Sequence, residues 1–94
     1  MPIQFEWDPD KSESNLAKHG VRFDEATSVF SDPLSLTIED PVHSGPGWDR
    51  FVTIGMSFRV RTLVVVHSDQ DGSIRIISAR LASRRERATY EEES

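Results

Sequence analysis

Residues 50–81 read RFVTIGMSFRVRTLVVVHSDQDGSIRIISARL, and this stretch decides the fold class. Its apolar residues fall in three short runs, 51–56, 61–67 and 73–78, rich in Val, Ile and Thr and divided by polar or glycine-bearing segments. That is the signature of β-strands rather than helices. Residues 68–72 read as a turn, and links this short join only antiparallel neighbours. Upstream, Leu34, Leu36 and Ile38 alternate with polar residues and add an edge-like strand. Four strands in succession predict an antiparallel meander.

Outward from the meander the period changes. Ile3, Phe5 and Trp7 alternate with Gln4 and Glu6, the pattern of a half-buried strand. Asp8-Pro9 then supplies an N-cap and a proline at the first helical position, and Gly20 fits the left-handed residue after a helix ending at Lys18 or His19. A second helix is predicted at about 23–31, with Ala26, Val29 and Phe30 on one face and Asp32-Pro33 as its stop. Residues 40–49 form a turn-rich loop, and beyond Ala79 the residues favour a helix up to Tyr90. The expected order is β-α-α-β-β-β-β-α. This is a single α+β domain, 1–94, with two N-terminal helices and a C-terminal helix packed on an antiparallel sheet and an acidic tail at 91–94.

With 94 residues, 36% of them hydrophobic and 29% charged, the chain sits in the globular range. It has no cysteine, which removes disulfides, thiolate metal sites and cysteine nucleophiles. No apolar run is long enough to span a bilayer, and no basic segment followed by an apolar one opens the chain. A soluble cytoplasmic protein without membrane contact is therefore expected. The net charge of −5 hides a partition. Residues 1–49 carry three cations against ten carboxylates, 50–87 carry eight arginines against three carboxylates, and 88–94 add three glutamates. Every cation after Lys18 is arginine, which forks onto phosphate or carboxylate. An asymmetry of this kind points to a polyanion or an acidic protein as partner.

The three histidines, His19, His43 and His67, stand too far apart for a metal-binding pair. The acidic doublets Asp8/Asp10, Asp24/Glu25 and Asp69/Asp71 read as helix starts or turns, so neither a metal nor another cofactor is expected. No phosphate-binding glycine loop or hydrolase elbow occurs. Arg59 and Arg61 flank the start of a strand and share its face with Leu63, Val65 and His67. Arg80, Arg84 and Arg87 recur at helical spacing and form one stripe of the last helix. Two readings are open for these arginines: a solvated stripe paired with Glu86 and Glu91, or a phosphate clamp beside a proton-transfer residue. Glu25 and His67 are the candidates for that acid or base, against roles as a helix-start carboxylate and a strand-end histidine. Lys18-His19 fits a helix C-terminus as well as an RNA contact. Tyr90 reads as a packing residue with its hydroxyl at the surface. Asn15, a weak helix former inside a helix, is expected to bond the loop beyond the helix or a backbone group on the sheet.

Six ordered segments carry a family resemblance: Phe5-x-Trp7-Asp8-Pro9-x-Lys11, Asn15-x-x-Lys18-His19-Gly20-Val21, Phe23-x-Glu25-Ala26-x-x-Val29-Phe30-x-Asp32, Arg50-x-x-x-Ile54-Gly55, Ile74-Arg75-Ile76-Ile77-Ser78-Ala79-Arg80 and Glu86-Arg87-x-x-Tyr90. Together the chain resembles the BrnT toxins of bacterial type II toxin–antitoxin systems. The resemblance implies a RelE/ParE-like fold and metal-independent cleavage of RNA that arrests growth. It also implies neutralisation by a BrnA-like ribbon-helix-helix antitoxin, through which the pair binds operator DNA and represses its own operon. Taking the residue reading and the resemblance together, the expected site places Arg61, Arg80, Glu25 and His67 in catalysis, His67 having less support from the family pattern, and Lys18, His19, Arg59, Arg84, Arg87 and Tyr90 in RNA binding. Two positions depart from the pattern: Leu81 where relatives carry another basic residue, and Val60 where a glycine is often found. Other readings of the same chain are a catalytically weak interaction module acting as corepressor, and a ParE-like gyrase inhibitor.

Overall fold

The computed structural model describes residues 3–40, 49–70 and 72–93. Strand β1 (Gln4–Glu6) leads into helix α1 (Pro9–His19), helix α2 (Phe23–Thr27) and a 3₁₀ turn (Ser28–Ser31). Strands β2 (Leu36–Glu39), β3 (Arg50–Met56), β4 (Thr62–Gln70) and β5 (Ser73–Leu81) follow, and helix α3 (Arg84–Glu93) closes the chain. The expected loop at 40–49 lies mostly outside the described residues, as do His43 and Asp71.

Local chemistry sets the first helix. Asp8 Oδ1 accepts the Asp10 N–H at 2.9 Å, Pro9 occupies the first turn, and Gly20 ends the helix at φ 71° while its N–H donates to the Leu16 carbonyl. The predicted second helix is shorter and changes pitch. It is α-helical only to Thr27 and then tightens to 3₁₀, with the Thr27 and Ser28 hydroxyls donating to the Asp24 and Glu25 carbonyls.

The sheet runs β1-β5-β4-β3-β2 and is mixed rather than antiparallel. The four-strand meander is antiparallel, but β1 joins β5 in parallel, Phe5 opposite Ile74. A strand that precedes two helices has no hairpin partner, so it reaches the far edge by a crossover. The last two strands are longer than expected. Ser68, Asp69 and Gln70 continue β4, and Gln70 pairs with Ser73, with Gly72 before it at φ 82°.

One face of the sheet carries α1 and α2. The core there is Val21, Phe23, Ala26, Val29, Leu63, Val65, Ile74, Ile76 and Ala79, with Phe5, Trp7 and Phe30 packed against it. Gly55 faces this layer because a Cβ there would stand 3.0 Å from Ser35 Cβ and 3.2 Å from Val29 Cβ. Past Arg75, β5 has no strand on its outer side, and Asn15 takes that place. Its Nδ2 donates to the carbonyls of Ala79 (2.7 Å) and Val21 (2.9 Å), and its Oδ1 accepts the Ala79 N–H at 3.1 Å. Both expected kinds of partner are thus met by one buried amide. Among the described residues no helix is long and apolar enough to cross a membrane.

Candidate functional site

The arginines singled out in the sequence gather at one end of the sheet, where β3 and β5 finish and β4 begins. Glu25 sits in the first turn of α2, and its side chain is 3% exposed. Arg61 grips it with two donors: Nε reaches Oε2 at 3.0 Å and Nη2 bonds Oε1. Ser57 Oγ donates to Oε2 at 2.7 Å, and Arg59 Nη1 lies 3.9 Å from Oε1. Arg61 Nη2 also donates to the Gly20 carbonyl at 3.2 Å, tying the α1 terminus, with Lys18 and His19, to the same cluster. Burial pushes the Glu25 carboxyl up, but the hydrogen bonds from Arg61 and Ser57 and the charges of Arg61 and Arg59 outweigh it. The net effect is a carboxyl held below its ordinary range. A buried, ionised carboxylate with its oxygens already engaged orients an arginine; it does not collect a proton. For Glu25, expected as an acid or base, this geometry favours a positioning role.

Arg80 forms the second cluster, and its place differs from the expected helical stripe. It lies on β5, opposite Val64, while α3 begins only at Arg84. Alternation along the paired strands puts Arg80 on the face opposite Leu63 and Arg61. The register shift at Val66/His67 breaks the parity that aligned Arg80 with Ile74 and Ile76. Its guanidinium forks onto Glu86, Nη1 to Oε1 at 2.7 Å and Nη2 to Oε2 at 2.9 Å. Glu86 also accepts the Ser83 N–H at 2.8 Å, and Ser83 Oγ accepts the Glu86 N–H at 3.2 Å, closing a capping box. The Arg80 hydrogen bonds, with smaller help from Ser83, hold the Glu86 carboxyl at about 2.

Between the clusters runs a groove of about 390 Å³ lined by Met56, Val60, Arg61, Leu81, Arg87 and Glu91. Leu81, the residue replacing an expected cation, is exposed on its wall. Arg84 and Arg87 are exposed on α3. A second groove, about 200 Å³, lies between α1 and the open edge of β5 and is lined by Lys11, Ser14, Lys18, His19 and Ser78.

Two predicted site residues are elsewhere. His67 is 1% exposed, lies edge-on to Phe30 and stacks on Phe51. Its Nδ1 is 2.7 Å from Asp69 Oδ1 and its Nε2 2.7 Å from Thr53 Oγ1, which in turn is 2.7 Å from Thr37 Oγ1. A ring sealed in the core with both nitrogens engaged cannot reach an RNA hydroxyl, so its catalytic reading is corrected to a structural one. Burial pushes the imidazole below its ordinary 6.5, against the opposing pull of Asp69. The fold therefore favours the neutral ring. Its contribution to stability is complete above the unfolded value and fades as pH falls toward the folded one. We expect the urea midpoint to drop between pH 7 and pH 5, and the drop to flatten over that window in a His67→Gln variant. An unchanged slope in the variant would refute the assignment.

Tyr90 is likewise no RNA contact. Its ring is 5% exposed and its hydroxyl donates to Asp32 Oδ2 at 2.6 Å, not to solvent. That bond, with burial, pushes the phenol up to about 12. Asp32 also accepts the Met56 N–H at Oδ2 and the Leu34 N–H at Oδ1, both at 2.9 Å, joining the 3₁₀ turn, β3 and α3.

Sequence reasoning named Glu86 as a partner of the arginine stripe, but missed Ser57 as a partner of Glu25 and Asp32 as a partner of Tyr90. The Ser83-x-x-Glu86 capping box was readable; the Ser57–Glu25 and Asp32–Tyr90 contacts join residues far apart in the chain and carry no local signal. Val60 takes φ 61°, the left-handed region, where the glycine expected from the family resemblance would sit without strain.

Over residues 7–86 the chain matches the family described as the BrnT ribonuclease toxin of type II toxin–antitoxin systems. Among solved structures it resembles the 1.1 Å crystal structure of the Brucella abortus ribonuclease toxin BrnT. The TM-score is 0.64 and the identity 24%, over 88% of this chain and 100% of that one; the likeness supports the fold. A comparison with curated proteins returns no match.

Proposed function

The chain belongs to the BrnT family of ribonuclease toxins of type II toxin–antitoxin systems, and from that premise we propose that the free protein cleaves RNA without a metal ion, in the manner of RelE/ParE-like toxins. A BrnA-like ribbon-helix-helix antitoxin silences it, and the pair binds operator DNA through the antitoxin and represses its operon. The observation that carries the catalytic part is Arg61, locked in place by Glu25 beside Arg59 and the Arg87-lined groove.

Cleavage by the strand's own 2′-hydroxyl moves a proton from O2′, forms the O2′–P bond and breaks the P–O5′ bond, with negative charge building on phosphorus oxygens. Arg61 spends Nε and Nη2 on Glu25 and Gly20 and keeps Nη1 for such an oxygen. Arg80 serves phosphate from the other face, and Arg84, Arg87 and Lys18 hold the strand electrostatically. Of the two described histidines only His19 is accessible; in this reading it takes the O2′ proton, and the departing O5′ is protonated by water. In the test, purified protein free of antitoxin is incubated with RNA. Wild type should cleave equally with and without EDTA, and His19→Gln should lower kcat with KM little changed. Cleavage abolished by EDTA and restored by Mg²⁺ would sink the metal-free reading.

Leu81, 48% exposed where a phosphate-binding cation is expected, favours a second reading, a catalytically weak corepressor. Unimpaired growth and intact RNA when the chain is expressed alone would support that reading. Inhibited supercoiling by purified gyrase would point instead to a ParE-like poison.

A further inference from the structure

The β3–β4 hairpin tip, Ser57-Phe58-Arg59-Val60, is not needed for the core, yet it is built with care. Phe58 is 69% and Val60 75% exposed, and Arg59 extends between them with its side chain 59% exposed. Burying a phenylalanine normally stabilises a fold, so a ring left in water earns nothing from folding. The tip is nonetheless held rigidly. The Ser57 N–H donates to the Arg61 carbonyl at 2.9 Å and the Val60 N–H to the Ser57 carbonyl at 2.9 Å. The Phe58 N–H donates to Ser28 Oγ at 2.9 Å and the Arg59 N–H to Ser57 Oγ at 3.2 Å. Val60, β-branched, is kept at φ 61°, a strained conformation of the kind that collects at ligand clamps. Ser57 is also the residue that bonds Glu25, so the frame presenting the ring is the frame that sets Arg61.

We propose that Phe58 is a stacking platform for one unpaired base of the RNA strand, with Arg59 on the neighbouring phosphate. The inference rests on the ribonuclease reading and names how the same site grips its substrate. Single-stranded RNA is recognised by exposed aromatic faces beside cations that follow the backbone. Here one exposed ring is flanked by Arg59, with Arg61 and Arg87 in the adjoining groove. Of the carboxylates nearby, Glu25 is already neutralised by Arg61, and Glu91 shares the groove with the two arginines, Arg61 and Arg87. That pattern of charge suits a polyanion with flat bases.

The test uses fluorescein-labelled 2′-O-methyl oligoadenylate and oligouridylate of about a dozen nucleotides, which bind but cannot be cleaved because O2′ is blocked. Anisotropy titrations are run over a range of salt. Wild type should prefer oligoadenylate, the stronger stacker. Phe58→Ala should weaken its binding about 5- to 150-fold, the size of one lost base–aromatic stack, and erase the preference. Phe58→Trp should restore both. Arg59→Ala should instead lower the salt slope by about 0.7, one phosphate contact on a single strand, and keep the preference. Phe58 is exposed, and unchanged thermal unfolding confirms that its variants fold. If wild type binds but Phe58→Ala binds equally well, the stacking role is overturned while the ribonuclease reading stands. The same holds if Phe58→Ala binds RNA normally but escapes silencing by the antitoxin, which would make the tip a protein-docking surface. If wild type neither binds nor cleaves RNA, both fall.

Discussion

Replacing Asn15 by leucine, a side chain of similar size, should lower the stability of the protein by about 3–5 kcal/mol. The argument counts orphaned groups. Asn15 satisfies the Ala79 N–H, the Ala79 carbonyl and the Val21 carbonyl, all buried where β5 has no strand neighbour. Each buried polar group stripped of its partner costs about 1–3 kcal/mol, and small domains hold only about 5–15 kcal/mol in reserve. Urea unfolding at neutral pH measures the loss. Asn15→Asp should be comparably damaging, because its ionised oxygens would face two carbonyls. A cost under about 1 kcal/mol for leucine would mean that this sheet edge is satisfied some other way.

Arg61→Ala should remove both stability and activity, and the two losses separate. Taking the guanidinium away leaves Glu25 as a buried charge supported only by Ser57 and the more distant Arg59, which costs about 3–5 kcal/mol. The same change deletes a donor aimed at developing phosphate charge, a loss of about 10²–10³-fold in kcat. Adding Glu25→Gln to Arg61→Ala neutralises the stranded carboxylate, so the double variant should regain most of the unfolding midpoint and none of the cleavage. If cleavage returns along with stability, Arg61 is only a brace and the phosphate role belongs to another residue.

The sequence was most legible where structure is written locally. Asp8-Pro9 and Gly20 mark both ends of α1, and the Val/Ile/Thr runs mark β3, β4 and β5. It misled where a pairing partner decides. Ser68-Asp69-Gln70 is polar enough to read as a turn, yet it continues β4 because Ser73–Arg75 runs opposite. Arg80 has the spacing of a helical stripe, but β5 runs on to Leu81 and so keeps it on the sheet, and a register shift in the β4–β5 pair at Val66/His67 turns it to the other face. The same limit governs the site. Glu25 and Arg61 were each picked out by type, but a carboxylate in a helix's first turn looks identical whether it faces solvent or an arginine 36 positions on. His67 was picked for its chemistry, and only the fold reveals that Phe30 and Phe51 enclose it.

The single buried residue of α3, Tyr90, has a consequence for how the molecule opens. A helix of ten residues is marginal by itself, so α3 stays wound while its one aromatic anchor is seated on Asp32 and its capping box is closed. It is a flap on a single peg: when the peg lifts, the helix can unwind as a unit while the sheet remains intact, far below the free energy of global unfolding. Glu86 would leave with it, and Arg80 would be released from its partner. The charge presented on that face of the sheet is thus coupled to a local opening equilibrium at the chain's last helix.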